Sequence, residues 1–230
     1  MSDHLAPRKV LLAGATGLVG REILRALLTD QAVTEIHVLS RRALDQSNPR
    51  VQVHIVDFAR LPSLPRVDEV YLALGTTIRV AGSEQAFRAV DLEANLAVAT
   101  LAAAAGATRA GLVSAVGADA QSRGFYNRVK GELEAALKPL FPALVIAQPS
   151  LLLGDRSSLN QPLRWGERIA APIGRLVSPL LPGRYRPVAA AAVAVAMVRT
   201  VPAARGVRVL SSDELAMIGR DQDMPTSPTR

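Results

Sequence analysis

The chain has no cysteine among its 230 residues. That excludes disulfides, thiolate nucleophiles and cysteine-ligated zinc together, and it fits a reducing compartment, so a cytoplasmic location is expected. Aromatic residues are scarce at 3%, too few for the stacking platforms that single-stranded nucleic acids use. Lysine is scarcer still, with three against 24 arginines. The net charge of +7 is spread along the chain rather than gathered in one patch. No nucleic-acid partner is therefore expected, although the positive field favours an anionic cofactor. His4, His37 and His54 are far apart and form no ligand spacing, so no metal site is expected. The longest apolar run, Val188 to Val198, is too short to span a bilayer. Gly14, Gly17 and Gly20 interrupt the apolar stretch after Arg8-Lys9, which argues against a secretory signal. No internal repeat is present.

What remains is a well-furnished core. Hydrophobic residues make up 49% of the chain and charged residues 20%, an ordinary balance for a globular protein. The length suits one domain, expected over residues 1–218, with a polar tail over 219–230. Strand-length apolar runs alternate with helix-length segments, the pattern of an α/β doubly wound parallel sheet. Strands are expected at Lys9–Ala13, Glu35–Leu39, Val51–Val56, Glu69–Leu74, Ala110–Ser114 and Ala143–Ala147. Helices are expected at Leu18–Leu28, Glu84–Ala105 (stopped by Gly106) and Gly124–Leu137 (closed before Pro139). Prolines then punctuate residues 151–187, around the one tryptophan, Trp165. This stretch reads as a small substrate-side lobe. A helix over Ala189–Arg199, a strand over Val207–Leu210 and a short helix over Asp213–Ile218 follow.

The first strand runs directly into Gly14-Ala15-Thr16-Gly17-Leu18-Val19-Gly20. Glycines at a strand–turn–helix junction let the backbone turn tightly and approach a pyrophosphate, and the helix N-terminus offers free N–H groups to phosphate. Gly14, Thr16, Gly17, Leu18, Val19 and Gly20 are accordingly expected to bind a dinucleotide. The second strand ends at Ser40-Arg41-Arg42, with no acidic residue to take a ribose diol. Arginine there suits a 2′-phosphate, so NADP(H) is expected over NAD(H), held by Arg41 and Arg42. Asp57 and Phe58 after the third strand would lie beside the adenine. Leu74, Gly75 and Thr76 after the fourth would pass under the ribose.

Tyr126 and Lys130 stand at i and i+4 on one helix face, in a chain with only three tyrosines and three lysines. An ammonium beside a phenol supports proton transfer to or from a substrate oxygen. Ser114, twelve residues before the tyrosine, closes the fifth strand at the same sheet edge as the phosphate loop. The three are expected to converge on a carbonyl beside the nicotinamide. Serine would hydrogen-bond the oxygen, tyrosine would move the proton, and lysine would bind the ribose and support the phenol. The Glu132/Glu134 pair beyond Lys130 reads as a solvated face, and Asp119 as a turn aspartate. Trp165 and Tyr185 read as packing residues.

Taken together, these segments resemble the short-chain dehydrogenase/reductase superfamily, and more narrowly its atypical Tat-interacting-protein-like branch. The similarity rests on Gly14–Gly20, Leu39-Ser40-Arg41-Arg42, Val56-Asp57-Phe58, Leu74-Gly75-Thr76-Thr77, Ser114, Gly117-Ala118-Asp119, Tyr126 through Glu134, and Leu152-x-Gly154-Asp155-Arg156. It implies a Rossmann fold, NADP(H) binding, a Ser114-Tyr126-Lys130 site and a nicotinamide pocket shaped by Pro149. The chain departs from the pattern at Asp91, where many members carry a helix asparagine. It departs again at Gln148-Pro149-Ser150, where arginine-proline-glycine is common. The expected function is an NADP(H)-dependent oxidoreductase acting on a small carbonyl or alcohol. The alternative is a non-catalytic NADP(H)-sensing protein that binds a regulatory partner. A sugar-nucleotide epimerase is set aside because the portion after Pro149 is short for that substrate and the second strand lacks the acid that selects NAD. A homodimer and a regulatory protein partner both stay open.

Overall fold

The computed structural model describes residues 6–154 and 182–220. Most of the substrate-side lobe read at 151–187, including Trp165, Asp155 and Arg156, lies outside the described residues, as does the tail beyond Arg220.

Seven strands form one parallel sheet: β1 (Arg8–Ala13), β2 (Val33–Ser40), β3 (Val51–Ile55), β4 (Glu69–Leu72), β5 (Arg109–Val113), β6 (Ala143–Gln148) and β9 (Gly206–Ser211). Their order is β3-β2-β1-β4-β5-β6-β9, and every neighbouring pair is parallel. This is a doubly wound Rossmann-like α/β fold. A separate two-stranded pair, β7 (Leu152–Leu153) with β8 (Val188–Ala189), lies outside that sheet.

Strand alternation divides the core between the two faces. Val10, Leu12, Ile36 and Val38 face one side, where they meet Ile23 and Leu27 of α1 (Leu18–Thr29) together with Val193 and Met197 of α6 (Ala190–Thr200). Leu11, Leu39, Leu72 and Leu112 face the other, against Val98 and Ala102 of α4 (Asn95–Ala104) and Leu133 of α5 (Phe125–Leu137). Between β4 and α4 come two short helices, α2 (Ile78–Ala81) and α3 (Glu84–Arg88). The final helix is α7 (Ser212–Arg220). It runs two residues past the expected end because Gly219 lets it press on α6: a Cβ there would sit 2.5 Å from the Ala192 Cα.

The helix expected as one piece over Glu84–Ala105 is interrupted by a π-helical stretch, Ala89–Ala94. Asn95 stabilises that wide turn from within. Its Nδ2 donates to the carbonyls of Val90 and Asp91, and also reaches across to the Leu74 carbonyl, each at 3.2 Å. Gly106, with φ +99°, ends the run in the left-handed region as its residue type leads one to expect.

The two histidines that look remote in sequence meet. Parallel pairing of β2 with β3 sets His37 opposite Gln52 and Leu39 opposite His54. His37 Nδ1 and His54 Nε2 come within 2.9 Å, and Glu35 Oε1 lies 3.1 Å from His37 Nε2. Among the described residues no group of three ligating side chains is placed to hold a metal ion.

Candidate functional site

All seven strands point their carboxyl ends the same way, so the loops after β1, β2, β4, β5 and β6 gather along one sheet edge, where ligands of open α/β sheets bind. The turn after β1 is held to its neighbour by contact that only glycine permits. Gly14 has φ +96°, and a Cβ on it would lie 2.4 Å from the Ala73 carbonyl oxygen. A Cβ on Gly20 would lie 2.0 Å from the Gly14 carbonyl, so the last glycine of the loop seats helix α1 on the turn. Gly17, the N-cap of α1, provides no side-chain cap, and the first turn carries no acidic residue. The first N–H groups of α1 are thus left for an anion. A dinucleotide pyrophosphate fits this cradle.

Two cavities open along the edge. One, of about 530 Å³, is lined by Gly14, Thr16, Gly17, Arg41, Asp57 and Phe58, and also by Leu74 and Gly75. Glu93 adds a carboxylate to its wall that the sequence reading overlooked. The second, of about 240 Å³, is lined by Leu18, Val19, Thr76, Ser114, Tyr126, Lys130 and Pro149, with Arg79 at its rim. Gly17, Leu74 and Gly75 line both, so the cavities form one cleft. Of the residues expected at the cofactor, Gly20 and Arg42 line neither cavity. Gly20 packs beneath the loop, and the Arg42 N–H donates to Ser40 Oγ at 3.2 Å. Asp57 turns its carboxylate onto its own loop, accepting from the Ala59 N–H at 3.0 Å.

Helix α5 presents Tyr126, Lys130 and Glu134 four residues apart on one face. Tyr126 stands at the cleft mouth, 39% exposed, its ring centroid 5.6 Å from that of Phe87. Lys130 is buried, and its Nζ lies 2.6 Å from Asp91 Oδ1. The second Asp91 oxygen accepts the Thr76 N–H at 2.8 Å. Asp91, the departure noted above, therefore ties Lys130 to the loop after β4. A buried asparagine does stand in this helix, one turn on, at Asn95.

Glu134 is not on a solvated face. It is 8% exposed, and its Oε1 accepts a short hydrogen bond from the Ser114 hydroxyl. Gln148 Nε2 donates to both of its oxygens, at 3.0 and 3.1 Å. Only Glu132 of that pair reaches the surface, where it meets Arg88 at 2.7 Å. Two residues along a helix are about 200° apart, so the pair could not have shared a face. The spacing from Lys130 was the signal that could have found Glu134. Asp119 forms a turn, its Oδ1 accepting the Gln121 N–H at 2.9 Å.

Residues 10–126 match the NAD dependent epimerase/dehydratase family. Across 185 residues the chain is 34% identical to the protein fmp52, mitochondrial, of Emericella nidulans, covering 76% of this chain and 79% of that one. The chain belongs to the NAD dependent epimerase/dehydratase family. It is also 31% identical over 227 residues to the protein HTATIP2 of Rattus norvegicus, covering 95% of this chain and 92% of the other. The Tat-interacting-protein-like resemblance read from the motifs is borne out. Among solved structures, that of MoeE5 in complex with UDP-glucose and NAD aligns with a TM-score of 0.65 at 14% identity. That alignment covers 94% of this chain and 82% of the other.

These relatives overturn the expected cytoplasmic location, because the FMP52 proteins carry "mitochondrial" in their names. A chain without cysteine has no thiol for the redox state of its surroundings to act on, so composition had no power to choose a compartment. Among the described residues no helix is long and apolar enough to cross a membrane.

Proposed function

We propose that this family member is an NADP(H)-dependent oxidoreductase interconverting a small alcohol and carbonyl, with Ser114, Tyr126 and Lys130 handling the oxygen and its proton. The observation that carries this reading is the single cleft. The glycine loop and Arg41 line one end, and Ser114, Tyr126 and Lys130 line the other. A bound nicotinamide would supply or accept the hydride. The N-terminus of α1 would hold the pyrophosphate, and Arg41 the 2′-phosphate. Lys130 would hold the ribose hydroxyls beside Gly75, where a Cβ would lie 4.0 Å from its Nζ. Tyr126 gives its proton to the carbonyl oxygen in reduction and takes it back in oxidation.

The test is NADPH consumption across a panel of small aldehydes and ketones. The wild type should turn over at least one, and Tyr126→Phe and Lys130→Ala should each lower that rate by about 100-fold or more. Equal residual rates in all three proteins would remove the assignment.

A second reading, an NADP(H)-responsive protein that binds a partner without turnover, is favoured by the Lys130–Asp91 pair at 2.6 Å, which already engages the lysine. It predicts NADPH binding by calorimetry with no consumption across the whole panel.

A further inference from the structure

The Ser114 hydroxyl has one proton and two lone pairs. A carboxylate offers acceptors only, so in the Ser114–Glu134 contact the serine must donate. Gln148 reinforces this polarity by placing Nε2 within 3.0 and 3.1 Å of the two Glu134 oxygens. Glu134 has no ion pair among the described residues, and only 8% of it is exposed. A buried carboxylate without a cation depends on such donors. The serine proton is thereby turned away from the cleft that Ser114 lines.

We propose that Glu134 is a positioning residue that makes Ser114 a hydrogen-bond acceptor toward the cleft, so that the site binds the alcohol of a substrate pair better than the carbonyl. An alcohol O–H can donate to Ser114 Oγ. A carbonyl oxygen facing the same atom finds a second acceptor and no proton. This inference rests on the oxidoreductase reading for its substrate class. In oxidation the carbinol hydrogen would leave with its electron pair for NADP+, and the hydroxyl proton would turn from Ser114 Oγ to a Tyr126 phenolate, leaving the C=O bond and a neutral phenol. Ser114 accepts from the bound alcohol only until that proton leaves for Tyr126, and it loses no proton of its own.

Glu134→Gln tests the polarity at nearly constant shape. An amide can donate to Ser114 Oγ while accepting from Gln148, which frees the serine proton for the cleft. The probes are cyclohexanol bound to NADPH-loaded protein and cyclohexanone bound to NADP+-loaded protein, two combinations that cannot react. Dissociation constants for both are measured on wild type and Glu134→Gln, with thermal midpoints alongside. Wild type should prefer the alcohol, and the variant should shift the alcohol-to-ketone ratio toward the ketone by about tenfold, the scale of one hydrogen bond. A merely structural glutamate would lower the thermal midpoint and weaken both probes together, leaving the ratio unchanged. That result overturns the proposal, as does a ketone preference in wild type or binding of neither probe. If the alcohol preference and its reversal appear while no carbonyl of the panel is reduced, the oxidoreductase reading fails and the role of Glu134 stands.

Discussion

In the proposed reading, cofactor selectivity turns on Arg41. It lines the larger cavity near Asp57 and Phe58, and it has no ion pair among the described residues. Arg42, its neighbour, contributes a backbone N–H to Ser40 and lines neither cavity. Arg41→Ala should therefore weaken NADPH by about tenfold to 100-fold, the range of a charge-assisted phosphate contact, and leave NADH nearly unchanged. Calorimetric titrations of both cofactors check this, and equal weakening would end the 2′-phosphate role. Ser114, Tyr126 and Lys130 could be singled out from sequence because their spacing states a geometry: two lie one turn apart, and the third ends a strand. Glu134 was misplaced for lack of a three-dimensional partner. Its neighbours Leu133 and Ala135 give no direction; the four-residue spacing from Lys130 does, but the partners Ser114 and Gln148 come only with the approach of β5 and β6. Asp91 was noticed as an exception, yet its contacts with Lys130 and Thr76 depend on a π-helical turn that no periodicity announces.

Among the elements, α1 does the most to place the cleft, since its N-terminus forms the phosphate cradle. Its far end is fastened from outside the helix. The Arg50 guanidinium, entering just before β3, donates to the Leu28 carbonyl in a short contact and to those of Asp30 and Val33 at 3.0 and 2.8 Å. Helix carbonyls at a C-terminus have no intrahelical partner, and a cation there also opposes the helix dipole. Arg50→Ala should cost about 1–3 kcal/mol, the penalty for leaving such acceptors unmet. Urea denaturation should register it as a lower midpoint with an unchanged slope. An unaltered midpoint would mean that water replaces the guanidinium without loss. Helices and strands of the sheet were readable because alternation in the strands and glycine or proline at the helix ends are local signals. Arg50 was not, because its three acceptors come from α1, the following turn and β2. The His37–His54 contact was hidden for the same reason: strand register, absent from any local pattern, brings the two rings together.

Across the whole molecule, that polar cluster gives stability a pH dependence. Burial holds the His37 imidazole below its ordinary value of 6.5; Glu35 opposes the shift, while His54 and Lys9 add to it. Gln52, on the same strand face as His54, is engaged with Glu35 at 2.7 Å. With the folded value depressed, the unfolded chain takes up the proton first as pH falls. The stabilising contribution is therefore fully present above about pH 6.5, the unfolded value, and is lost as pH falls through the lower folded value. The wild-type urea midpoint should drop between pH 7.5 and pH 5, and His37→Gln should narrow that drop. An equal drop in both proteins would place the titration elsewhere. The fold and the family rest on sequence and architecture together, while the chemistry rests on the cleft that joins the glycine loop to helix α5. A crystal structure with NADPH bound examines that junction most directly. The account predicts the 2′-phosphate within hydrogen-bond reach of Arg41, the pyrophosphate over the first turn of α1, and the nicotinamide beside Tyr126 and Lys130. A nicotinamide bound away from Tyr126 and Lys130, or an adenosine end that leaves Arg41 untouched, would contradict it.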